Sequence, residues 1–374
     1  MMNSNLSSLN TSIKHYSEEV LKNHGNEISG IIEKLANSHS LAPGEYERLI
    51  EARSSDTAHL MAARALKERL TYYSDTVYVR GLIEISNICK NNCYYCGIRA
   101  SNTHCDRYRL NEEEILLCCE EGYALGFRTF VLQGGEDYYF TSKRLGNIVS
   151  EIKKRCPDSA VTLSMGEMSE EDYRHLYNCG ADRYLLRHES ANSDHYSLLH
   201  PENMSYSNRI SCLHTLRKIG YQTGCGFMVG SPHQTAKHLA NDLKFIEEFA
   251  PHMCGIGPFI PHNETPFCNE KAGDADLTVY LLSIIRLIHP KILLPATTAL
   301  GSLTHDGREK GILAGANVIM PNLSPQSVRA KYSLYNGKLH SGAESAQEIR
   351  LLSEKMESIG FRVVFERGDS KIDY

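Results

Sequence analysis

Three cysteines, Cys89, Cys93 and Cys96, stand at C-x3-C-x2-C spacing directly after an apolar run that ends at Ile85. Three thiolates from one short loop can hold three corners of a 4Fe–4S cluster, which normally takes four thiolates. The missing fourth ligand leaves one iron with an open coordination position, and such a position distinguishes a reactive metal site from a structural one. The spacing therefore predicts a 4Fe–4S cluster with one reactive iron.

The same cysteines allow other interpretations. A zinc site would need a fourth Cys or His, usually from a second C-x2-C or H-x3-H pair, and no such pair follows downstream. A disulfide would suit a secreted chain, and three buried free cysteines could also occur by chance. Tyr95 before the last cysteine and Gly97 after it favour the cluster. The other cysteines lack paired spacing and are interpreted as small buried hydrophobic residues: Cys105, Cys118, Cys119, Cys156, Cys179, Cys212, Cys225, Cys254 and Cys268.

Short apolar strands alternate with amphipathic helices from Val77 onward, a pattern typical of a parallel sheet in an α/β protein. Eight such strands predict a complete (β/α)8 TIM barrel, and 374 residues are enough for one. A doubly wound open sheet is the alternative, but no Gly-x-Gly-x-x-Gly motif follows the first strand. The predicted strands are Val77–Ile85, Thr129–Gln133, Ala160–Ser164, Arg183–Arg187, Gln222–Met228, Met253–Gly257, Ile292–Ala296 and Asn317–Met320.

The chain divides into three predicted segments. Residues 1–75 form an N-terminal helical extension, residues 76–340 the barrel, and residues 341–374 a short C-terminal cap over one end. Apolar residues at helical spacing predict three helices in the extension and, in the cap, one helix followed by a short strand. These elements are Ile28–Ala36, Pro43–Ala52, Ser55–Thr71, Ala346–Ile359 and Val363–Phe365.

The amino-acid composition limits which partners the protein can bind and in which cellular compartment we expect it. A formal net charge of −5 provides no electrostatic basis for binding nucleic acid or an anionic membrane. No apolar run approaches the ~20 residues that a membrane span needs. Twelve cysteines indicate a reducing compartment, and the first residues lack the basic flank and apolar core of a secretory signal. We therefore expect a cytoplasmic protein, with an organelle of an anaerobic eukaryote as the alternative.

Active sites of such barrels gather at the carboxyl ends of the strands. The second predicted strand is followed by Gly134, Gly135 and Glu136, where the glycines let the backbone approach a ligand and the acid accepts from an amine or hydroxyl. An ordinary connecting turn is the alternative interpretation. The third strand likewise ends on a small and an acidic residue, Gly166 and Glu167.

The fourth predicted strand carries unusual charge. Arg183, Leu185, Arg187 and Glu189 share one face by alternation, and charges inside a barrel must be paired or bind something. A structural Arg–Glu pair is an equally good interpretation of this strand taken alone. Arg209 is a further cation that can clamp a carboxylate. At the end of the seventh strand, two adjacent threonine hydroxyls and free backbone amides can bind an anion.

Taken together, these runs resemble the radical S-adenosylmethionine superfamily, its biotin-synthase-like branch and, within that branch, the HydE family of FeFe-hydrogenase maturases. The cysteine motif by itself identifies only the superfamily, whereas the later runs are more specific. The resemblance covers roughly residues 77–335 and is carried by the cysteine motif and by Leu132–Asp137, Arg183–Glu189, Gly255–His262, Pro295–Ala299 and Gly315–Asn322.

The resemblance implies a barrel cavity that holds a 4Fe–4S cluster on Cys89, Cys93 and Cys96, together with S-adenosylmethionine. Many relatives carry a second cysteine set after the last barrel strand, but residues 337–344 contain no cysteine, so we expect one cluster per chain. No protein side chain is expected to act as a catalyst beyond the cluster and cofactor. The expected cofactor-binding residues are Gln133, Glu189, Arg209, Tyr332 and Tyr95, and those for substrate or anion are Arg187, Thr297, Thr298, Met320 and Arg183.

The activity implied is cleavage of S-adenosylmethionine to a 5′-deoxyadenosyl radical during assembly of the hydrogenase H-cluster. The implied substrate is a small iron–cysteine carbonyl/cyanide precursor, whereas the residues alone indicate only a small anionic ligand. Implied partners are an electron donor such as ferredoxin or flavodoxin and companion maturases in an anaerobic host. Two alternatives remain open: another radical reaction, either methylornithine synthesis or sulfur insertion as in biotin synthase, and a non-catalytic iron–sulfur scaffold or carrier.

Overall fold

Three helices precede the barrel in the computed structural model, which describes residues 27–340 and 346–372. They are α1 (Glu27–Ser38), α2 (Pro43–Glu51) and α3 (Ser55–Tyr73), close to the predicted bounds. Ser54 caps α3, because its hydroxyl accepts from the Thr57 amide while its own amide donates to the Thr57 hydroxyl. Residues 1–26 of the predicted extension lie outside the described residues, and the three-segment division stays a prediction.

Parallel strands and helices alternate through the rest of the described chain. The strands are β1 (Thr76–Val79), β2 (Gly81–Ser86), β3 (Thr129–Gly134), β4 (Ala160–Ser164), β5 (Arg183–Leu185), β6 (Gln222–Cys225), β7 (Met228–Val229), β8 (Met253–Cys254), β9 (Gly257–Pro258), β10 (Val318–Ile319) and β11 (Arg362–Val364). The helices are α4 (Glu112–Ala124), α5 (Ser142–Arg155), α6 (Glu170–Asn178), α7 (Ser193–Leu199), α8 (Tyr206–Ile219), α9 (Ala236–Phe249), α10 (Ala275–Ile288), α11 (Thr298–Leu303), α12 (Gly307–Leu313), α13 (Gln326–Arg329) and α14 (Ile349–Ser358), the last preceded by a 3-10 turn, Ala346–Glu348.

The strands close into a TIM barrel. The strands β2, β3, β4, β5, β6 and β8 form one parallel sheet in that order. Isolated parallel bridges extend the sheet from Met253 to Leu293 and from Pro295 to Val318, and a bridge from Leu82 to Asn322 closes the circle. The extension packs outside this ring, with α2 against α9 and α3 against α10. The predicted (β/α)8 architecture is therefore confirmed.

Several predicted strands are interrupted or reduced. The first is divided at Arg80 into β1 and β2, and the seventh is reduced to the two isolated bridges. The fifth stops at Gly226, which has a φ of +157°, and a Cβ there would lie 2.0 Å from the carbonyl oxygen of Gly255. Only a glycine fits at that contact, so the strand bends and resumes as β7.

The C-terminal tail caps the amino-terminal end of the barrel. Strand β11 pairs in parallel with β1, and Asp369 then reaches Arg183 at the start of β5, with Oδ1 2.6 Å from Nη2. Burial alone would raise the pKa of Asp369, but Arg367 and Arg183 outweigh it and lower that pKa. Arg80 donates to the carbonyl of Gly368. The tail therefore lies at the end of the barrel opposite the carboxyl ends of the strands.

No helix in residues 27–340 or 346–372 is both long enough and apolar enough to cross a membrane.

Candidate active site

A cavity of about 300 Å³ lies at the carboxyl ends of the barrel strands. Its residues come from the cysteine loop after β2, from the ends of β3, β4 and β5, and from the segment after α13. One wall is apolar. The polar and ionisable side chains that line it include Cys89, Cys93, Cys96, Tyr95, Gln133, Glu136, Arg187, Glu189, Arg209, Thr297 and Tyr332.

Backbone hydrogen bonds hold the cysteine loop over this cavity. The Lys90 amide donates to the carbonyl of Glu136, and the Tyr94 amide donates to the carbonyl of Leu199. The Gly97 amide donates to the carbonyl of Leu334 at 2.8 Å. A Cβ on Gly97 would lie 2.2 Å from the carbonyl oxygen of Ser333, so only glycine permits this approach. The loop is therefore attached to three different parts of the barrel rim.

The three thiols fit a cluster better than a single ion. All three cysteines line the same cavity and are free, yet within the described residues no three His, Cys, Asp or Glu side chains converge on one metal position. Burial raises the pKa of Cys96 to about 12 and also raises the pKa values of Cys89 and Cys93. Separated thiols that must lose their protons on binding suit a 4Fe–4S cluster, in which each of the three thiolates would bind a different iron and the fourth iron would stay open.

Arg209 joins two carboxylates beside the cysteine loop. Its Nε lies 2.7 Å from Oε1 of Glu167, and its Nη2 lies 3.7 Å from Oε1 of Glu136. Burial alone would lower the pKa of Arg209, but the two glutamates outweigh it and raise that pKa. The Lys90 ammonium is 3.2 Å from the other oxygen of Glu136. This network gives the cavity a charged rim at the cysteine loop.

The sequence pattern marked Glu136 as an acceptor for an amine or hydroxyl of a ligand and Glu167 only as an acid at a strand end, and it assigned neither to a particular ligand. The signal that identified Glu136 is the Gly134-Gly135 pair directly before it, since the first of these glycines ends β3. No comparable signal connects Glu167 with Arg209, since one follows β4 and the other lies on α8.

Arg187 and Glu189 carry polar atoms that lack good hydrogen bonds. Nη2 of Arg187 lies 3.0 Å from Oε2 of Glu189. Neither of these atoms, nor Nε of Arg187, makes a hydrogen bond of acceptable geometry with any residue in the described ranges, although all are buried. Such atoms are costly to bury unless a ligand satisfies them. The cavity is therefore built for a polar or charged ligand at this point.

Aromatic side chains position the remaining predicted cofactor residues. The Tyr95 hydroxyl lies 3.2 Å from Nε2 of His200, whose Nδ1 lies 2.9 Å from the carbonyl oxygen of Tyr196. Burial lowers the pKa of His200 to about 4, so the ring is neutral and Nε2 accepts from Tyr95. Gln133 donates to the Tyr332 hydroxyl at 3.4 Å, which places both at the cavity wall.

Three of the predicted substrate residues do not line the cavity. Thr297 does, but Thr298 begins α11 and its hydroxyl accepts from Arg308 at 3.2 Å. Met320 packs on a separate apolar cluster in the barrel. Arg183 lies on the inner face of β5, as predicted, but at its amino-terminal start, where it pairs with Asp369 of the tail. Arg183 therefore pairs with a carboxylate of the C-terminal tail and not with a bound molecule.

Residues 83–246 match the family model of the radical SAM superfamily. The chain is 47% identical over 271 residues to FeFe hydrogenase maturase subunit HydE of Thermotoga maritima, covering 72% of this chain and 77% of that protein. Its fold resembles that of methylornithine synthase PylB, with a TM-score of 0.76 at 23% identity, covering 89% of this chain and 97% of that one. It also resembles the FeFe-hydrogenase maturase HydG from Carboxydothermus hydrogenoformans, with a TM-score of 0.75 at 20% identity, covering 98% and 85%.

Proposed function

The chain belongs to the HydE family of FeFe-hydrogenase maturases within the radical S-adenosylmethionine superfamily, and from this membership we propose how its cavity works in hydrogenase maturation. Its cofactors are a 4Fe–4S cluster and S-adenosylmethionine. When bound, the cluster supplies an electron that cleaves the sulfonium to methionine and a 5′-deoxyadenosyl radical. The observation that carries the proposal is the meeting of three free thiols with Arg187 and Glu189 in one cavity.

In this proposal Cys89, Cys93 and Cys96 hold the cluster, and the neighbouring acids hold S-adenosylmethionine. The methionine moiety offers an amino group and a carboxylate. Glu136 and Glu189 accept from the amino group, and Arg209 donates to the carboxylate. Arg209 stays positively charged and able to bind that carboxylate, because its two glutamate partners raise its pKa. Gln133 and Tyr332 orient the nucleoside by hydrogen bonding and by contact with the ring face.

Arg187 and Thr297 are the proposed substrate residues. Arg187 has two buried nitrogens without good hydrogen bonds, and Thr297 lines the same cavity, where its hydroxyl donates to the carbonyl of Ile256 at 3.3 Å. A charged donor whose nitrogens have no good protein acceptor suits a small anion. A small iron–cysteine carbonyl/cyanide precursor fits that description through its carboxylate and cyanide groups, and it is the substrate that we propose. A cavity of about 300 Å³ is at the small end of ligand sites and favours a compact substrate.

The apolar wall protects the reaction. Its apolar residues are Ile98, Leu185, Leu186, Met228, Pro258, Phe259, Ile260, Ala299 and Leu334. Excluding water and stray hydrogen donors confines a reactive species to the substrate beside it. Further proposed partners, namely an electron donor such as ferredoxin or flavodoxin and the companion maturases, act from outside the cavity.

Anaerobic reconstitution with iron and sulfide tests the cysteine assignment. Dithionite-reduced protein is expected to convert S-adenosylmethionine to methionine and 5′-deoxyadenosine, measured by chromatography, and Cys93→Ser is expected to abolish both products and most of the bound iron. Cys179→Ser is the matched control, because this free, half-buried cysteine contacts His175 outside the cavity. Cleavage that survives in Cys93→Ser contradicts the site.

The same assay separates the alternative functions. No cleavage by fully reconstituted wild-type protein would support a scaffold or carrier. Turnover of lysine to 3-methylornithine, or sulfur insertion into dethiobiotin, would instead support one of the other radical enzymes. An increase in 5′-deoxyadenosine formation with an iron–cysteine carbonyl/cyanide complex, and not with lysine or dethiobiotin, is the result expected for the proposed substrate.

A further inference from the structure

Glu189 has an unusual backbone conformation. Its φ is +62°, and the amide of Ser190 donates to the carbonyl of His188 at 2.8 Å across it. A hydrogen bond between residues two apart, around a residue of positive φ, is a γ-turn of the rare and strained kind. Of the five non-glycine residues with positive φ in the described ranges, Glu189 is the one that lines the cavity.

A strained turn persists only when its surroundings hold it. Here the Glu189 amide donates to the carbonyl of Gly226 at 3.0 Å, and the residues on either side of Glu189 contact Asp242 of α9, a carboxylate with no solvent exposure. Its Oδ1 accepts from the amide of Ala191 at 2.6 Å and lies 3.3 Å from Nε2 of His188. Oδ1 of Asp242 therefore contacts both His188, directly before Glu189, and Ala191, two residues after it.

His188 is fixed from its other side as well. The Gly226 amide donates to Nδ1 at 3.4 Å, so Nε2 is the ring nitrogen that faces Asp242, in a close contact without good hydrogen-bond geometry. The ring packs against Phe245 and Phe227, with centroid separations of 4.7 and 5.9 Å. Burial raises the pKa of Asp242, so a carboxylate here is costly for the fold. An unfavourable buried carboxylate of this kind suggests that Asp242 has a function beyond stability.

We propose that Asp242, acting through His188 and the Ala191 amide, is a positioning residue that holds the turn at Glu189 and aims its carboxylate into the cavity. The proposal rests on the proposed function only in taking S-adenosylmethionine as the ligand of Glu189. Asp242 itself does not line the cavity, since it lies behind β5 on the outer helix layer.

A double-mutant cycle of Asp242→Asn and Glu189→Gln tests this role in the reconstituted full-length protein. The KM for S-adenosylmethionine and kcat are measured by 5′-deoxyadenosine formation, and thermal unfolding is recorded for each variant. Each single change is expected to raise KM about tenfold, and the double variant is expected to match Glu189→Gln within about twofold, since both changes remove one function. Factors that multiply in the double variant, or an unchanged KM in Asp242→Asn when Glu189→Gln raises it, would overturn the proposal.

Asp182→Asn is the matched control at the opposite end of β5. Its carboxylate also accepts a backbone amide, that of Val161 at 2.8 Å, but it lies away from the cavity. This change is expected to lower the unfolding temperature while leaving the KM unchanged. His188→Phe keeps an aromatic ring between its neighbours and removes the contact with Asp242, so it provides a second variant if Asp242→Asn does not fold.

A crystal structure of Asp242→Asn, or of His188→Phe, tests the inference whatever ligand Glu189 binds. Residue 189 is expected to relax to negative φ and to lose its 3.0 Å approach to Arg187. An unchanged turn and an unchanged approach would overturn the positioning role. If Glu189→Gln leaves the KM for S-adenosylmethionine unchanged while the turn relaxes in these variants, the assigned ligand of Glu189 is wrong and the positioning role stands.

Discussion

Arg183 begins β5 and Arg187 lies two residues beyond its end, on the same face by alternation, yet their mutations should have opposite consequences. Arg183 donates to Gln222, Thr129, Arg367 and Asp369 at distances of 2.6–3.2 Å, and its side chain is 2% exposed. Arg187 has two buried nitrogens without good hydrogen bonds and a side chain that is 32% exposed. Replacing each by Met keeps the apolar stem and removes the guanidinium.

The contacts determine the expected loss of stability. Removing one partner of a buried ion pair costs about 3–5 kcal/mol, because the other charge is left without compensation. Asp369 is 41% exposed, so water can partly replace Arg183, and we expect the lower end, about 3 kcal/mol. For Arg187→Met the expected change is within about 1 kcal/mol, because a partly exposed pair contributes little.

Urea unfolding and S-adenosylmethionine cleavage measure the two consequences separately. With an unfolding slope near 3 kcal/mol per molar urea, Arg183→Met should lower the midpoint by about 1 M and leave the KM for S-adenosylmethionine unchanged. Arg187→Met should keep the midpoint and reduce substrate-dependent 5′-deoxyadenosine formation at least about tenfold, the cost of one charge-assisted hydrogen bond. Normal stability with impaired ligand binding in Arg183→Met would refute this reasoning.

Three further outcomes follow from the same structure. Gly97→Ala should reduce cluster content and 5′-deoxyadenosine formation, because the added Cβ would lie 2.2 Å from the Ser333 carbonyl oxygen; normal iron content would contradict this. Thr297→Val should weaken substrate-dependent activity more than Thr298→Val, since only the first of these residues lines the cavity, and equal effects would contradict the placement. The pKa of Asp369 is lowered in the folded state, so its ion pairs stabilise the fold above its unfolded pKa of about 3.9 and this contribution is lost as pH falls below that value. Asp369→Asn should therefore show a smaller loss of stability between pH 5 and 3 than the wild type, measured by urea unfolding at each pH, and parallel losses would contradict the assignment.

The cysteine loop and the barrel were predictable because both are encoded locally. The spacing of Cys89, Cys93 and Cys96 places three thiols on one loop whatever surrounds it. Alternation of apolar strands with amphipathic helices likewise depends on neighbours within a few residues. Weak strands such as Ile292–Ala296 were located correctly, although the barrel holds that segment by only two isolated bridges.

The misplacement of Arg183 shows the limit of strand alternation. Alternation identified the face that Arg183 shares with Arg187, and the structure has both on the inner side. It could not give their height along the barrel axis. At ~3.3 Å per residue, four residues separate the two arginines by about 13 Å, which is enough to move one from the cavity to the opposite end. There it meets the tail, a segment that folds back from residue 369.

Sequence was therefore sufficient for the family, the barrel, the cysteine loop and the strand ends that surround the cavity. It was insufficient for the partners of those residues: Glu167 for Arg209, Asp369 for Arg183, and Asp242 for the turn at Glu189. Each of these contacts joins residues from different elements of the chain. Side-chain type and local spacing determine which chemistry a segment can carry, whereas the packing of each helix and tail on the barrel determines which charges meet, and only that packing is decided by the tertiary structure.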